Sequence, residues 1–212
     1  FQKDLSPVSL VASIPNILVV HPSLGVHTVQ ELIAMAKREP NKISYGSAGV
    51  GSSPHLSGEL FKQMAGIEMT HVPYPGSAQA VTDLLAGRVQ VMFSPASSVL
   101  SFIKAGKLVA LASTESSRTS AAPELPTMQE AGLPGFETGV WFGILAPKDT
   151  PQPVIAKVNE AINKTLENPK VLDLLHTQGM DALGGSPERF SKYISAETEK
   201  WRKVITSAHI SK

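Results

Sequence analysis

A segment rich in glycine and serine, residues 45–56, carries residue types that can bind an anion without a charged side chain. It reads YGSAGVGSSPHL, with a proline at position 54, where a helix would begin. Glycines let a backbone approach a ligand closely, and a helix N-terminus adds about half a positive charge. The segment therefore predicts a carboxylate or phosphate receptor at the end of a strand. Its candidate ligand residues are Ser47, Ala48, Gly49, Gly51, Ser52 and Ser53.

The glycine spacing separates this segment from better-known phosphate-binding loops. The glycines follow the pattern G-x-x-G-x-G, whereas the dinucleotide fingerprint is G-x-G-x-x-G. No Gly-Lys-Ser/Thr follows, so the segment is not a nucleotide-hydrolase phosphate loop. An ordinary strand-to-helix turn with a capping serine remains the alternative, because glycine-rich turns of this kind are common.

Two later turns share the same polar, uncharged character. Residues 71–77 read HVPYPGS, and residues 93–98 read FSPASS. If the preceding strands are parallel, all three turns lie at one edge of the sheet. Further donors are then expected from Tyr74, Gly76, Ser77 and Ser94. Together the turns predict a hydrogen-bonding pocket without formal positive charge.

A hydrolase or transferase that uses Ser47 or Ser52 is the competing hypothesis. The run GSAG is not the nucleophile elbow G-x-S-x-G, which needs a residue between glycine and serine. His55 and His71 could act as bases, but no motif places an acid to orient either ring. The six histidines include no H-x-x-x-H pair. We therefore expect no catalysis, no metal ion and no cofactor.

Alternating strands and helices must position these turns. Short apolar runs at residues 43–45, 69–72, 89–93 and 108–112 alternate with helical patterns. This alternation predicts βαβ units and a mainly parallel sheet. Thr28 and Glu31 have the spacing of a capping box, which predicts the start of the first helix.

Two extended segments, residues 8–20 and 138–147, bracket this α/β unit. A short helix is expected near residues 128–131. After residue 147 the chain reads as amphipathic helices beginning at Thr150-Pro151, Asn168-Pro169 and Ser186-Pro187, with one short strand around residues 181–183. The sheet that these helices would cover is largely absent from the sequence. We assign residues 1–22 to a first crossover segment, 23–137 to a complete α/β ligand-binding domain, and 138–212 to a second crossover segment and the C-terminal helices of an incomplete domain.

Composition excludes several classes of partner. The 212 residues include 19 basic and 18 acidic side chains, so the charge gives no reason to expect nucleic acid as a partner. Ser13, Pro15 and Asn16 interrupt the longest apolar run, which is shorter than the ~18–20 residues of a membrane span. Direct membrane insertion is therefore not expected. The absence of cysteine excludes disulfides and thiolate metal sites.

Five motifs, in this order, resemble the Bug-type periplasmic solute receptors of tripartite tricarboxylate transporters. They are YGS-x-G-x-GS-x-x-HL, HVPY-x-G, DLL-x-G-x-V, P-x-LPT-x-x-EAG and WFG-x-x-AP, beginning at Tyr45, His71, Asp83, Pro123 and Trp141. The resemblance covers essentially the whole chain. It implies a periplasmic-binding-protein-like fold of two α/β domains joined by two extended crossover segments. It also implies a periplasmic receptor that captures a small organic acid, a mono- or dicarboxylate, and passes it to a membrane permease.

The sequence departs from the family pattern at two places. Family members carry a further N-terminal portion of the first domain, including a loop that faces the ligand, and nothing here precedes Phe1. One domain is therefore expected to be incomplete in this chain. Ser94 stands where many relatives have aspartate, which favours a ligand without an ammonium group.

Overall fold

The structure, a computed structural model, describes residues 4–210. The chain divides into two compact units. The larger unit comprises Pro15–Val140 and the chain from Val204 onward, and the smaller comprises the chain up to Ile14 and Trp141–Lys203. Among the described residues, no helix combines the length and the apolar character that crossing a bilayer requires.

The larger unit is built on five strands in the order β3-β2-β4-β1-β5. Their bounds are β1 (Leu5–Val20), β2 (Ser44–Ser47), β3 (Thr70–Pro73), β4 (Val91–Pro95) and β5 (Val109–Ser113). β2 runs parallel to β3 and β4, as predicted. The C-terminal part of β1, however, lies between β4 and β5 and runs antiparallel to both. The sheet is therefore mixed, because a strand from the first extended segment interrupts the parallel series.

Four helices accompany these strands: α1 (Val29–Arg38), α2 (Ser53–Ala65), α3 (Ser77–Leu85) and α4 (Ala96–Lys104). The predicted capping box of α1 is confirmed. The Glu31 amide donates to Thr28 Oγ1 at 3.1 Å, and the Thr28 amide donates to the Glu31 carboxylate at 3.2 Å. On one sheet face, Ile17, Val19 and Met92 belong to a core cluster with residues of α3 and α4.

The smaller unit contains α5 (Gln152–Leu166), α6 (Pro169–Thr177) and β7 (Asp181–Ala182). It also contains most of β6 (Gly139–Pro147) and most of α7 (Pro187–Ser207). β1 pairs with β6 and β7, so the predicted short strand near residue 181 is confirmed. Leu10, Phe190 and Ile194 form its buried apolar cluster. α6 buries no side chain fully, and Leu174 is 67% exposed.

Two local predictions are wrong. The N-cap of α5 is Pro151 instead of Thr150, so no hydroxyl caps that helix. The helix expected near residues 128–131 is a series of hydrogen-bonded turns that ends at Gly132, where φ is +92°. The first turn of a helix orders several residues for only one hydrogen bond. A segment of four residues therefore gains too little hydrogen-bond energy to form a helix.

Candidate functional site

Three helices begin at one edge of the larger unit's sheet. The strands β2, β3 and β4 run in the same direction and end at Ser47, Pro73 and Pro95. The helices α2, α3 and α4 follow these strands in turn. The three turns therefore meet at this edge, which we call the common edge, as the sequence predicted. Each helix presents its first amides and the positive end of its dipole there.

None of these three helices has a side-chain cap. Ser52, Gly76 and Pro95 occupy the N-cap positions, and no side chain there accepts a hydrogen bond from the helix amides. In contrast, β1 ends beside Val91 at the opposite edge, and α1, which follows it, has a complete capping box. Side-chain caps satisfy the unpaired amides of a first turn. The helices at the common edge therefore keep these donors available.

The glycine-rich loop, residues 47–53, is braced by its own hydroxyl groups. The Gly49 amide donates to Ser47 Oγ at 3.1 Å, and Ser52 Oγ donates to the Gly49 carbonyl at 2.6 Å. Gly49 and Gly51 have φ values of +116° and +78°, which side-chain-bearing residues rarely adopt. The hydroxyls of Ser47 and Ser52, predicted as ligand donors, thus hold the loop in shape.

Backbone amides are the donors that the loop leaves open. The amides of Ala48, Val50 and Ser53 donate to no other group within the part of the chain that the structure describes. The Val50 side chain is 61% exposed beside them. The loop therefore offers main-chain donors and an apolar surface, with no charged side chain of its own.

A buried polar network adjoins the loop, and the sequence prediction missed it. Asn16 Nδ2 donates to Ser53 Oγ at 2.7 Å and to Ser57 Oγ at 3.1 Å. Ser57 Oγ also bonds Thr138 Oγ1 at 2.8 Å. Asn16 Oδ1 is buried, and none of the described residues pairs with it. In the sequence, the polar Asn16 within a long apolar run was the signal that could have indicated this network.

The remaining predicted residues are Tyr74, Gly76, Ser77 and Ser94. The Tyr74 hydroxyl donates to Asp83 at 2.9 Å, and an added Cβ on Gly49 would lie 3.4 Å from the Tyr74 carbonyl oxygen. Gly76 and Ser77 form the start of α3. Ser94 lies opposite Ile17 in the ladder, fully buried. The structure thus brings the Tyr74 backbone to the loop and directs its hydroxyl away.

Ser94 offers a stability test, because its buried hydroxyl has no partner among the described residues. Burying an unpaired hydroxyl is unfavourable, so we expect Ser94→Ala to leave the unfolding free energy unchanged or to raise it by about 0.5–1 kcal/mol. Ser57→Ala is the matched control, since it removes a hydroxyl with partners and should cost about 1–3 kcal/mol. Urea unfolding without ligand measures the stability of both variants. A loss of unfolding free energy above about 1 kcal/mol in Ser94→Ala would contradict the interpretation that its hydroxyl is buried without a partner.

Behind the loop, Tyr45, His71 and His55 form a stack of three rings, which we call the ring stack. The ring centroids of Tyr45 and His71 are 4.9 Å apart, and those of His71 and His55 are 3.9 Å apart. His71 Nε2 lies 2.7 Å from Ser47 Oγ, and the Gly51 amide donates to His55 Nδ1 at 3.0 Å. Burial lowers the pKa of His71 to about 4 and also lowers the pKa of His55.

Ser47 and His71 have the separation of a nucleophile and its base, but the rest of a catalytic triad is not assembled around them. Ser47 is fully buried. Glu59, the carboxylate nearest the ring stack, accepts from Tyr45 at 2.5 Å and from Lys62 at 3.0 Å. No carboxylate of the described residues bonds either imidazole. In residues 4–210, no group of three or more His, Asp or Glu side chains is arranged to hold a metal ion.

Known proteins resemble the chain along almost its entire length. The model of a family described as the tripartite tricarboxylate transporter family receptor matches residues 1–210. BugT of Bordetella pertussis is 36% identical over 203 residues, which cover 96% of this chain and 62% of BugT. The chain thus spans about three-fifths of the length of the curated relatives it matches.

Two solved structures with bound acids share the fold. Rpa4515 of R. palustris, solved with adipate, is 38% identical with a TM-score of 0.83, and the match covers 98% of this chain and 70% of that one. MatC of Rhodopseudomonas palustris, solved with malate, is 28% identical with a TM-score of 0.75, and the match covers 95% of this chain and 69% of MatC. These matches confirm the predicted α/β, periplasmic-binding-protein-like fold class.

Proposed function

The chain belongs to the tripartite tricarboxylate transporter receptor family, and from this premise we propose that it binds a small organic carboxylate at the common edge. The resemblance to Bug-type receptors is confirmed by the family match and by BugT. One observation carries the proposal: three uncapped helix N-termini meet beside a loop whose amides at Ala48, Val50 and Ser53 are open.

Charge-assisted hydrogen bonds give this arrangement enough binding energy. Each bond from an amide to a carboxylate contributes about 1.5–3 kcal/mol. Three or four such bonds therefore suffice for about micromolar affinity after the entropic cost of association. The adipate and malate bound by two similar proteins support the same ligand class here. The serine at position 94 favours an acid without an ammonium group.

The proposed site extends beyond the loop amides. Gly49 and Gly51 give the loop its shape, and the hydroxyls of Ser47 and Ser52 hold it. The Tyr74 backbone, Gly76 and Ser77 complete the proposed wall at the common edge, whereas the Ser94 side chain, predicted from the sequence as part of it, is fully buried. In this assignment residues 23–137 form the ligand-binding domain, and the crossover segments connect it to the other domain.

The proposed physiological role is that of a periplasmic receptor that delivers its ligand to the membrane permease of a tripartite transporter and performs no chemistry. Family membership supports this role. The Ser47–His71 contact is the observation that favours the alternative, a hydrolase or transferase. Turnover of a panel of esters that is lost in Ser47→Ala would establish that alternative.

A thermal-shift screen tests the carboxylate proposal. The chain is melted with adipate, with malate and with adipamide, which has the length of adipate but no charge. At a concentration about a hundredfold above Kd, a ligand adds about 2.7 kcal/mol and raises Tm by about 5–10 °C. We expect at least one dicarboxylate to raise Tm and adipamide to leave it unchanged. A Tm that no acid raises above its value without ligand would contradict the proposal.

A further inference from the structure

The ring stack connects a titratable side chain to the loop that would hold the ligand. We propose that His55 is a positioning residue for the glycine-rich loop, and that the loop receives a carboxylate only while the His55 imidazole is neutral. This inference rests on the function proposed above and adds regulation of that site by pH. Its basis is the contact between His55 and the Gly51 amide.

The direction of this hydrogen bond determines the protonation state of the imidazole. Gly51 N–H donates to His55 Nδ1 at 3.0 Å, so Nδ1 must carry a lone pair. A neutral ring with its proton on Nε2 meets this condition. A protonated ring has an N–H at both nitrogens and would direct one of them against the Gly51 amide. The contact therefore breaks when His55 gains a proton.

The loop donors depend on this contact through the backbone. Gly51 lies between the open amides of Val50 and Ser53, and its φ of +78° belongs to a backbone shape that needs glycine. His55 is only 5% exposed and extends from α2, the helix that the loop precedes. If Gly51 moves away from a charged His55, the neighbouring amides move with it, because the backbone joins them. The expected result is weaker binding of a carboxylate.

The surroundings of His55 favour its neutral form. The rings of Tyr45 and His71 stack on one side, and Glu59 and Lys62 of α2 are the charged groups that act on it. Burial is the largest cause that lowers its pKa, and Lys62 also lowers it, whereas Glu59 opposes the shift. Because the pKa lies below its ordinary value of 6.5, His55 stays neutral at neutral pH. It gains a proton only as the pH falls through the lowered pKa, so affinity should fall on acidification.

Calorimetric titration with adipate in the wild type and in His55→Asn tests the inference. The Asn oxygen can accept from Gly51 without titrating, so His55→Asn should bind within about threefold of the wild type near pH 7.5. Once the pH is below the lowered pKa of His55, the wild type should lose about fivefold more affinity than His55→Asn, and adipate's own protonation is common to both. His176→Asn, an exposed site in the smaller unit, is the matched control and should behave as the wild type does. Equal pH dependence in the wild type and His55→Asn, or stronger wild-type binding at low pH, overturns the inference.

Nitrogen NMR of the wild-type histidines gives a readout that needs no substitution. In the unliganded chain, His55 should show an unprotonated Nδ1 and a protonated Nε2. Adipate should lower the His55 pKa, because binding and protonation oppose each other reciprocally. A proton on Nδ1, or a pKa raised by adipate, overturns the inference. If neither adipate nor malate binds at any pH, the proposed function fails, while the protonation pattern still tests the contact with Gly51.

Discussion

Replacing Val50 with aspartate is expected to weaken adipate binding by about 30-fold or more. Val50 is 61% exposed on the glycine-rich loop, between open amides. A carboxylate introduced there competes for the donors that the ligand needs, and it repels the ligand's charge. At a separation of about 5–8 Å and an effective dielectric constant of about 20, the repulsion is about 2–3 kcal/mol. Calorimetric titration with adipate measures the change in affinity.

Two control variants separate charge at the loop from other effects of this substitution. Val50→Asn has the same shape as the aspartate variant without its charge, and it should bind adipate within about threefold of the wild type. Val154→Asp adds the same charge to α5 of the smaller unit, where Val154 is 49% exposed, and it should also bind normally. If Val50→Asp binds as well as Val50→Asn does, the ligand does not occupy the loop.

Gly58→Ala is expected to destabilise the chain by about 2–4 kcal/mol, although alanine is the better helix former. Gly58 lies in α2, where helix propensity alone would favour alanine by about 1 kcal/mol. An added Cβ, however, would lie 2.3 Å from Tyr45 Cε2 and 2.7 Å from Cζ. Tyr45 is fully buried and stacks on His71, so its ring cannot give way without disturbing the ring stack. Urea unfolding without ligand measures the loss.

A double-mutant cycle with Tyr45 identifies the cause of this loss. Tyr45→Leu removes the ring atoms that the new methyl group would meet. The double variant should therefore be more stable than the sum of the two single losses predicts, by about 1–2 kcal/mol. Gly76→Ala is the matched substitution without a clash, because its φ is 175° and its nearest neighbour lies at 3.4 Å. Additive losses in the cycle would contradict steric contact with Tyr45 as the cause.

Local patterns were sufficient to predict much of the larger unit. The capping box of α1 was predicted correctly because both partners lie within four residues and their bonds need no tertiary contact. The alternation of apolar runs with helical patterns predicted β2, β3 and β4 and the helices that follow them, with strand starts displaced by one or two residues. The common edge followed from this order, since parallel strands end on the same side.

The position of β1 was not predictable from such patterns. An apolar run indicates a strand, but it does not say which strands the run will join. In the fold, Ile17 lies between Ser94 and Ser113, residues far from it in the sequence. The same insertion brings Asn16 to Ser53 and creates the buried network at the common edge. Pairing across such distances depends on the packing of the whole sheet, which no local segment encodes.

By its own residue types, the sequence determined that an uncharged loop of glycines and serines follows a strand and precedes a helix. Only the tertiary structure decided which groups of that loop are open. The hydroxyls of Ser47 and Ser52 are occupied within the loop, and the Gly51 amide is held by His55. A hydrogen bond occupies the proton of its donor, so the donors left for a ligand depend on which acceptors the fold brings near. The amides of Ala48, Val50 and Ser53 remain open because none of the described residues reaches them.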